Sequence, residues 1–312
     1  MSGFTLFTAP KPFTDPRIAL IQSNAMESWS RLRGVRVLLM GKSEGLGEMA
    51  RRVGATHIPT VALNHWGTPL VSSMIELARL HGGGGPLCLV NADMIVMQDF
   101  LDTGLRVASM VKDFLMVGQR WDVSVERPLD FSTGWEDRFR FSVRQRGELH
   151  RPAGSDFFVF PRHLFLDVPD FAIGRAGWDN WMIYAARRKG IAVVDCTPSA
   201  MVVHQNHDYG HLPGGLSHHS LPESDENIRL AGGVGAIRYT LLDATHVVRD
   251  GRLMRPRLSR ARVMRGLERF LRRTFFFLPA PAIEEIARPR RLGKRVVRVF
   301  KSDRPGRRRQ MP

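Results

Sequence analysis

With 312 residues and 43% hydrophobic content, the chain is long enough to bury a full core and to carry one large domain plus an appendage. Its net charge of +16 is localised, because residues 1–250 hold 26 basic and 26 acidic side chains while residues 251–312 hold 20 and 4. A neutral body followed by a basic tail means that the overall charge carries no information about what the body binds. Cys88 and Cys196 are the only cysteines, both inside apolar runs and without C-x-x-C spacing, which excludes a disulfide framework and implies a reducing compartment. Residues 1–7 lack a basic region followed by a long apolar one, so no signal peptide is expected. No run approaches the roughly 18 apolar residues of a membrane span. The expected location is therefore cytoplasmic.

In chain order, Phe4–Thr8 reads as a strand. Asp15-Pro16 then opens a helix, with Ile18, Ile21, Ala25, Trp29 and Leu32 recurring at spacings of three or four. Val35–Met40 is a second strand and residues 45–53 a short helix. A third helix spans residues 69–80 and is closed by four glycines at 82–85. Leu87–Val90 is the next strand, followed by a helix over 99–110 and a strand at Phe114–Val117. Strands alternating with helices at this spacing predict an α/β fold, a mostly parallel sheet with helices on both faces. The glycine run precedes a strand and lacks a following Gly-Lys-Ser/Thr, so it is a turn and not a phosphate loop.

The second half is less regular. Residues 121–134 read as a loop, Phe157–Phe160 as a strand, residues 179–189 as a helix ending at Gly190, and 191–195 and 201–203 as strands. The polar stretch 209–220 reads as a mobile loop whose His211, His218 and His219 are solvated. Residues 228–248 are expected to pack back as a last helix and strand.

Three segments carry candidate chemistry. The first is the apolar strand that ends in Asn91-Ala92-Asp93. A carboxylate at the carboxyl end of a strand in an α/β sheet sits where ligands gather. It suits a divalent ion on a diphosphate, with Asn91 reaching a sugar hydroxyl, although such an Asp can equally cap the next helix. The second is Gly177-Trp178-Asp179-Asn180-Trp181, a carboxylate at a helix start between two indoles that offer flat faces to a sugar. The competing possibility is an ordinary helix cap with two core tryptophans. Burial near apolar rings would raise the pKa of Asp179, and helix N–H groups would lower it. The third is His204-Gln205-Asn206-His207-Asp208-Tyr209 at another strand end. Either imidazole suits a divalent metal, but positions three apart in extended chain face opposite sides, which sets His204 and His207 against sharing one ion.

Taken in order across residues 1–210, these features resemble the nucleotide-sugar glycosyltransferases of the GT-A fold, particularly bacterial family 2-type members. Ala9-Pro10-Lys11-Pro12-Phe13 resembles the first nucleotide-binding turn, and Gln22-Ser23-Asn24-Ala25 with Ser28-Trp29 the helix after it. Asn91-Ala92-Asp93 stands in the place of the D-x-D metal motif, with Asn replacing the first Asp. Gly154-Ser155-Asp156 and the strand after it resemble the strand beside the acceptor. Asp179 stands where such enzymes carry their base, in a Trp-Asp pair instead of the common Glu-Asp. The resemblance implies sugar transfer from a nucleoside-diphosphate sugar to a glycan or lipid-linked hydroxyl, inverting, with Asp179 as base. It further implies a Mn²⁺ or Mg²⁺ ion on Asp93 with His204 or His207. Lys11, Asn24 and Asn91 would meet the donor nucleotide, and Arg120, Asp156, Trp178 and Trp181 would line the acceptor side. The alternatives are a sugar-phosphate nucleotidyltransferase, disfavoured because residues 8–16 lack a Gly-rich basic loop, and a non-catalytic carbohydrate- or membrane-binding protein.

From about residue 251 the chain has no counterpart in that pattern. Over residues 259–278, Arg262, Arg265, Arg269, Arg272 and Arg273 fall on one helical arc and Val263, Met264, Leu267, Phe270, Leu271, Phe275 and Leu278 on the other side. A basic amphipathic helix of this kind suits an anionic bilayer surface, and the cluster over 288–309 would add attraction. Packing of the apolar face on the body is an alternative. Nucleic acid is not expected, since no nucleic-acid-binding motif accompanies the arginines.

Overall fold

The computed structural model describes residues 3–207 and 221–274. Its first half runs β1 (Phe4–Thr8), α1 (Pro16–Ser30), β2 (Val35–Met40), α2 (Leu46–Val53), β3 (Thr56–Ile58), α3 (Val71–His81), β4 (Leu87–Val90), β5 (Met94–Val96), α4 (Gln98–Met110) and β6 (Phe114–Val117). The second half runs β7 (Trp121–Val123), α5 (Trp135–Arg146), β8 (Glu148–Leu149), β9 (Phe157–Phe160), α6 (Trp178–Arg188), β10 (Ala192–Asp195), β11 (Val202–Gln205), α7 (Pro222–Leu230), β12 (His246–Arg249), β13 (Arg252–Met254) and α8 (Arg260–Thr274).

Nine of the strands form one sheet in the order β13-β12-β10-β6-β9-β4-β1-β2-β3. All run in one direction except β9, antiparallel to both β4 and β6, and β13, antiparallel to β12. The alternation of side chains along each strand divides the core between the two faces. Phe7, Leu38 and Leu89 pack with Met74 of α3 and Met182 of α6 on one face. Leu6, Leu39 and Val90 pack with Met26 and Trp29 of α1, Met49 of α2 and Phe100 of α4 on the other. This is the α/β, mostly parallel architecture that the strand and helix spacing predicts.

The start of α1 is fixed as its sequence suggests, with the Asp15 side chain accepting from the backbone N–H groups of Arg17 and Ile18 at 2.8 and 2.9 Å. Helix α3 begins at Val71, two residues later than expected, because Leu63 bridges to Pro69 and Leu70 to Ala172 in extended pairing. Residues 121–134 are not wholly loop. They contain β7, and a helix without an expected counterpart, α5, follows directly; it buries only the narrow stripe Trp135, Phe139 and Val143. A second sheet, ordered β5-β11-β7-β8, covers that stripe. In place of one helix from residue 228, α7 starts at Pro222 and short 3-10 turns follow at Ala236–Arg238 and Leu241–Asp243. The predicted loop 209–220, with His211, His218 and His219, lies outside the described residues.

Residues 1–256 form one compact unit and residues 257–312 a second. Within the second, α8 carries a row of exposed apolar side chains at Val263, Leu267 and Phe270. Arg265 does not join a solvated arginine face. It is buried and ion-paired with Glu268 at 3.1 Å. The basic cluster expected over 288–309 falls outside the described residues. No described helix is long and apolar enough to cross a membrane.

Candidate active site

From β1 the chain moves outward to β2 and β3, then returns to place β4 on β1's other flank. A reversal of this kind leaves a crevice beyond the carboxyl ends of the two adjoining strands, where α/β sheets bind ligands. Asn91 and Asp93 enter it directly after β4. Because β9 runs backwards, its first end lies beside the last end of β4, which adds Asp156 to the same edge. The Asn91 backbone N–H donates to the Asp156 carbonyl, and its side-chain amide donates to Asp156 Oδ1, both at 2.9 Å.

Strand β11 brings the histidines. It pairs antiparallel with β5, His204 opposite Met94, so His204 arrives beside Asp93. His207 Nε2 lies 3.1 Å from Asp93 Oδ2, and His204 Nε2 lies 3.7 Å from the same oxygen. Ligand atoms from Asp93, His204 and His207 all fall within 4.8 Å of one another. Both histidines therefore converge on one point, contrary to the alternation expected from their spacing. The physical reason is that β11 ends at Gln205, so the two-residue period no longer governs position 207.

Beneath this cluster lies a buried polar clamp. Gln205 donates to the carbonyls of Ile21 and Asp93 at 2.7 and 3.1 Å and accepts from Asn24 at 3.1 Å. Asn24 also donates to the Arg127 carbonyl and accepts from the Leu129 N–H. Buried and fully engaged, Asn24 is a structural tie and not the nucleotide contact expected of it.

The Asp93 carboxylate is surrounded by positive and hydrogen-bonding groups. Among the described residues its buried Oδ1 has no hydrogen-bond partner, an expensive arrangement for a carboxylate oxygen unless a ligand completes it. Burial raises its pKa, but the His207 hydrogen bond and the charges of His204, His207 and Lys11 outweigh burial and leave it at about 2. His204 Nδ1 meets Asp122 Oδ1 at 3.1 Å, which turns Nε2 toward Asp93. A carboxylate on the far nitrogen is how metal-binding imidazoles are commonly oriented. One carboxylate and two imidazoles thus fit a divalent transition ion such as Mn²⁺.

Asp122 gave little sign in the sequence, sitting as Trp121-Asp122-Val123 in what read as a loop. It also accepts from His150 Nδ1 at 2.7 Å and Arg120 Nε at 2.8 Å. Burial raises the Asp122 pKa, but the His204 and Arg120 contacts hold it well below the usual carboxylate range. Arg120 then ion-pairs with Asp156, which closes a network from Asp93 through His204, Asp122 and Arg120 to Asp156 and Asn91. Burial works against the Arg120 charge, yet its two carboxylate partners raise its pKa.

Asp179 stands in the first turn of α6, after Gly177 with φ 106°. A Cβ there would lie 3.3 Å from Ile237 Cγ2, so both backbone conformation and space call for glycine. Burial drives the Asp179 pKa up to about 6, with the Asp156 charge adding to it and the helix N–H groups opposing. Lys11 is exposed at the end of β1, electrostatically coupled to Asp93 and to Arg175.

The two tryptophans differ in burial. Trp178 is 3% exposed, its ring 5.1 Å from that of Phe158. Trp181 packs edge-on to Phe171 at 5.1 Å. Both serve the core that supports α6, which follows from their helix positions facing the sheet.

No protein-family model matches the chain, and no curated protein sequence matches it. Solved structures do. The S. aureus protein TarS, residues 1–349 with UDP-GlcNAc, is 13% identical, with 88% of this chain and 73% of that one covered at a TM-score of 0.50. Glucosyl-3-phosphoglycerate synthase from Mycobacterium tuberculosis, with Mn²⁺, UDP and phosphoglyceric acid, is 14% identical over 76% of this chain and 79% of its own, TM-score 0.46. The mannosyltransferase PcManGT from Pyrobaculum calidifontis, with GDP-Man and Mn²⁺, is 12% identical over 66% of this chain at a TM-score of 0.43, and the chain spans 58% of its length. The chain has the GT-A-like fold of nucleotide-sugar glycosyltransferases. At these identities the likeness establishes the fold alone.

Proposed function

We propose that the protein transfers a sugar from a nucleoside-diphosphate sugar to a hydroxyl acceptor, with inversion. One observation carries this: Asp93, His204 and His207 cluster at the crevice edge, with one carboxylate oxygen that has no partner among the described residues, and the charge of neighbouring Asp156 acts on Asp179.

Asp93, His204 and His207 would hold the divalent ion, whose charge neutralises the departing diphosphate. Lys11 adds a second positive charge at the crevice. Asp179, with a pKa raised to about 6, is a carboxylate at neutral pH yet more basic than an ordinary one. It takes the proton of the acceptor hydroxyl as that oxygen bonds to the anomeric carbon and the carbon–phosphate-oxygen bond breaks. Such a positioned base contributes about 10²–10⁴-fold. Arg120 fixes Asp156 and Asp122, so that Asp156 offers a directed acceptor to the incoming hydroxyl compound while Asn91 lines the donor side.

In the second unit, the exposed row Val263, Leu267 and Phe270, on a helix that also carries Arg260, Arg262 and Arg269, supports docking on an anionic bilayer and hence a lipid-linked acceptor. Flotation with vesicles containing anionic lipid, compared with neutral ones, tests this.

The central test is thermal denaturation with UDP, GDP or dTDP and with Mn²⁺ or Mg²⁺, followed by hydrolysis of the matching sugar nucleotides. A true ligand raises the apparent stability by mass action. If no combination of nucleotide and ion raises the melting temperature, the proposed function is wrong.

A further inference from the structure

The crevice needs a surface for the acceptor; of the tryptophans beside Asp179, Trp178 is buried in the core and Trp181 is partly buried against Phe171. A different indole is half open to solvent, with one part of its ring against the His65 ring at 3.3 Å between centroids. Trp66 is 46% exposed in the loop between β3 and α3. Since β3 runs parallel to β1, this loop leaves the sheet at the crevice edge.

The loop is built to hold its tip still. Leu63 bridges to Pro69, the Asn64 N–H donates to the Thr68 carbonyl at 2.9 Å, and Asn64 Oδ1 accepts from the N–H groups of Trp66 and Thr68 at 3.0 and 2.9 Å. The base of the loop is tied to the segment leading into α6. Leu70 bridges to Ala172, the Ile173 N–H donates to the Pro69 carbonyl at 3.0 Å, and Arg175 donates to Thr68 Oγ1 at 3.3 Å. Buried Glu223 accepts from Asn64 at 2.9 Å and ion-pairs with Arg175, locking loop and segment together. Arg175 is four residues before Asp179 and is electrostatically coupled to Lys11, which is coupled in turn to Asp93. The hairpin is therefore fixed to the segment that leads into Asp179, at the end of the sheet where the crevice opens.

The exposed part of the indole leaves apolar surface in water that the His65 ring does not cover. On a rigid turn beside a sugar-transfer crevice, it gives a flat apolar face with polar neighbours, the pattern that suits the C–H face of a pyranose ring with its hydroxyls directed outward. We propose that Trp66 is the stacking platform of an acceptor subsite, and that the acceptor is itself a carbohydrate with a pyranose ring at or next to the reacting hydroxyl. This deepens the proposed function and rests on it.

The protein has six tryptophans, so ¹⁵N labelling of their indoles gives few signals, and the Trp66 signal is identified by its loss in Trp66→Phe. Methyl β-D-glucoside, methyl α-D-mannoside and N-acetylglucosamine are titrated into full-length protein holding UDP and Mn²⁺. At least one sugar should shift the Trp66 signal, and its affinity should weaken about tenfold in Trp66→Ala. A Trp66 signal unmoved by every sugar, while UDP with Mn²⁺ still raises the melting temperature, overturns the platform and leaves sugar transfer standing. A shifting sugar that binds Trp66→Ala as tightly as the parent also overturns it. Failure of all nucleotides to stabilise the protein defeats the proposed function instead, a result read from a separate measurement.

Discussion

Replacing Asp122 by Ala removes the group that orients His204 while leaving all three candidate metal-holding side chains in place. The Asp122 carboxylate accepts from His204 Nδ1 at 3.1 Å, His150 Nδ1 at 2.7 Å and Arg120 Nε at 2.8 Å. Without it His204 can take either tautomer and can rotate, so Nε2 faces Asp93 only part of the time. Loss of such an orienting carboxylate costs roughly 10–100-fold in metal affinity, about 1.4–2.7 kcal/mol. The fold should survive, because Arg120 keeps Asp156 and the released donors are partly open to water. Asp122→Asn, which keeps one acceptor oxygen for His204, should lose less than Ala. The assay is a Mn²⁺ titration followed by electron paramagnetic resonance of the free ion, with UDP present and folding checked by circular dichroism. A folded Ala variant with Mn²⁺ affinity equal to the parent's would refute the orienting role of Asp122.

Asp179→Asn should lower kcat by about 10²–10⁴-fold, and in the parent protein kcat/KM should fall with an acid limb near pH 6, where Asp179 gains its proton. Stability has the opposite sense: the folded pKa of about 6 lies above the ordinary 3.8, so this residue's contribution declines as pH rises from about 4 to 6. Thermal melts of Asp179→Asn should show a shallower decline over that window, and identical profiles would count against the raised pKa. Gly104→Ala places a Cβ 2.6 Å from Phe4 Cε2 inside α4, so overpacking of about 1–3 kcal/mol should outweigh the usual helix gain and lower the melting temperature. A rise in melting temperature would contradict that close approach. Asn24→Ala leaves the Leu129 N–H and Gln205 Oε1 without their partner and should cost about 1–3 kcal/mol in urea unfolding. An unchanged midpoint would show that water replaces the lost contacts.

Strand and helix identity in the first half was legible because its strands are short, apolar and buried on both faces, and because Asp15-Pro16 is an unambiguous helix start. Elements of two or three residues, β3, β5, β7 and β8, carry too few positions for a period to show. α5 is not legible because its buried stripe is one residue wide and Phe141, two positions after buried Phe139, is 67% exposed. Strand-end chemistry at positions 91–93 and 204–207 could be located from residue types alone. Their convergence depends on the β5–β11 register and on where β11 stops, and neither is encoded locally. Tryptophan burial is illegible for a related reason. Exposure is a property of the packed molecule, and nothing in Trp178 or Trp66 as letters says which is covered.

Because β9 sits between β4 and β6, the halves of the large sheet touch only through it. During synthesis, β1 to β4 can pair among themselves, but β6 has no neighbour on that flank until Phe157–Phe160 emerges and inserts in reverse. The same insertion sets Asp156 against Asn91 and Arg120. Insertion of β9 thus joins the two halves of the sheet and sets one wall of the crevice in the same step, while the histidines arrive only when β11 pairs with β5.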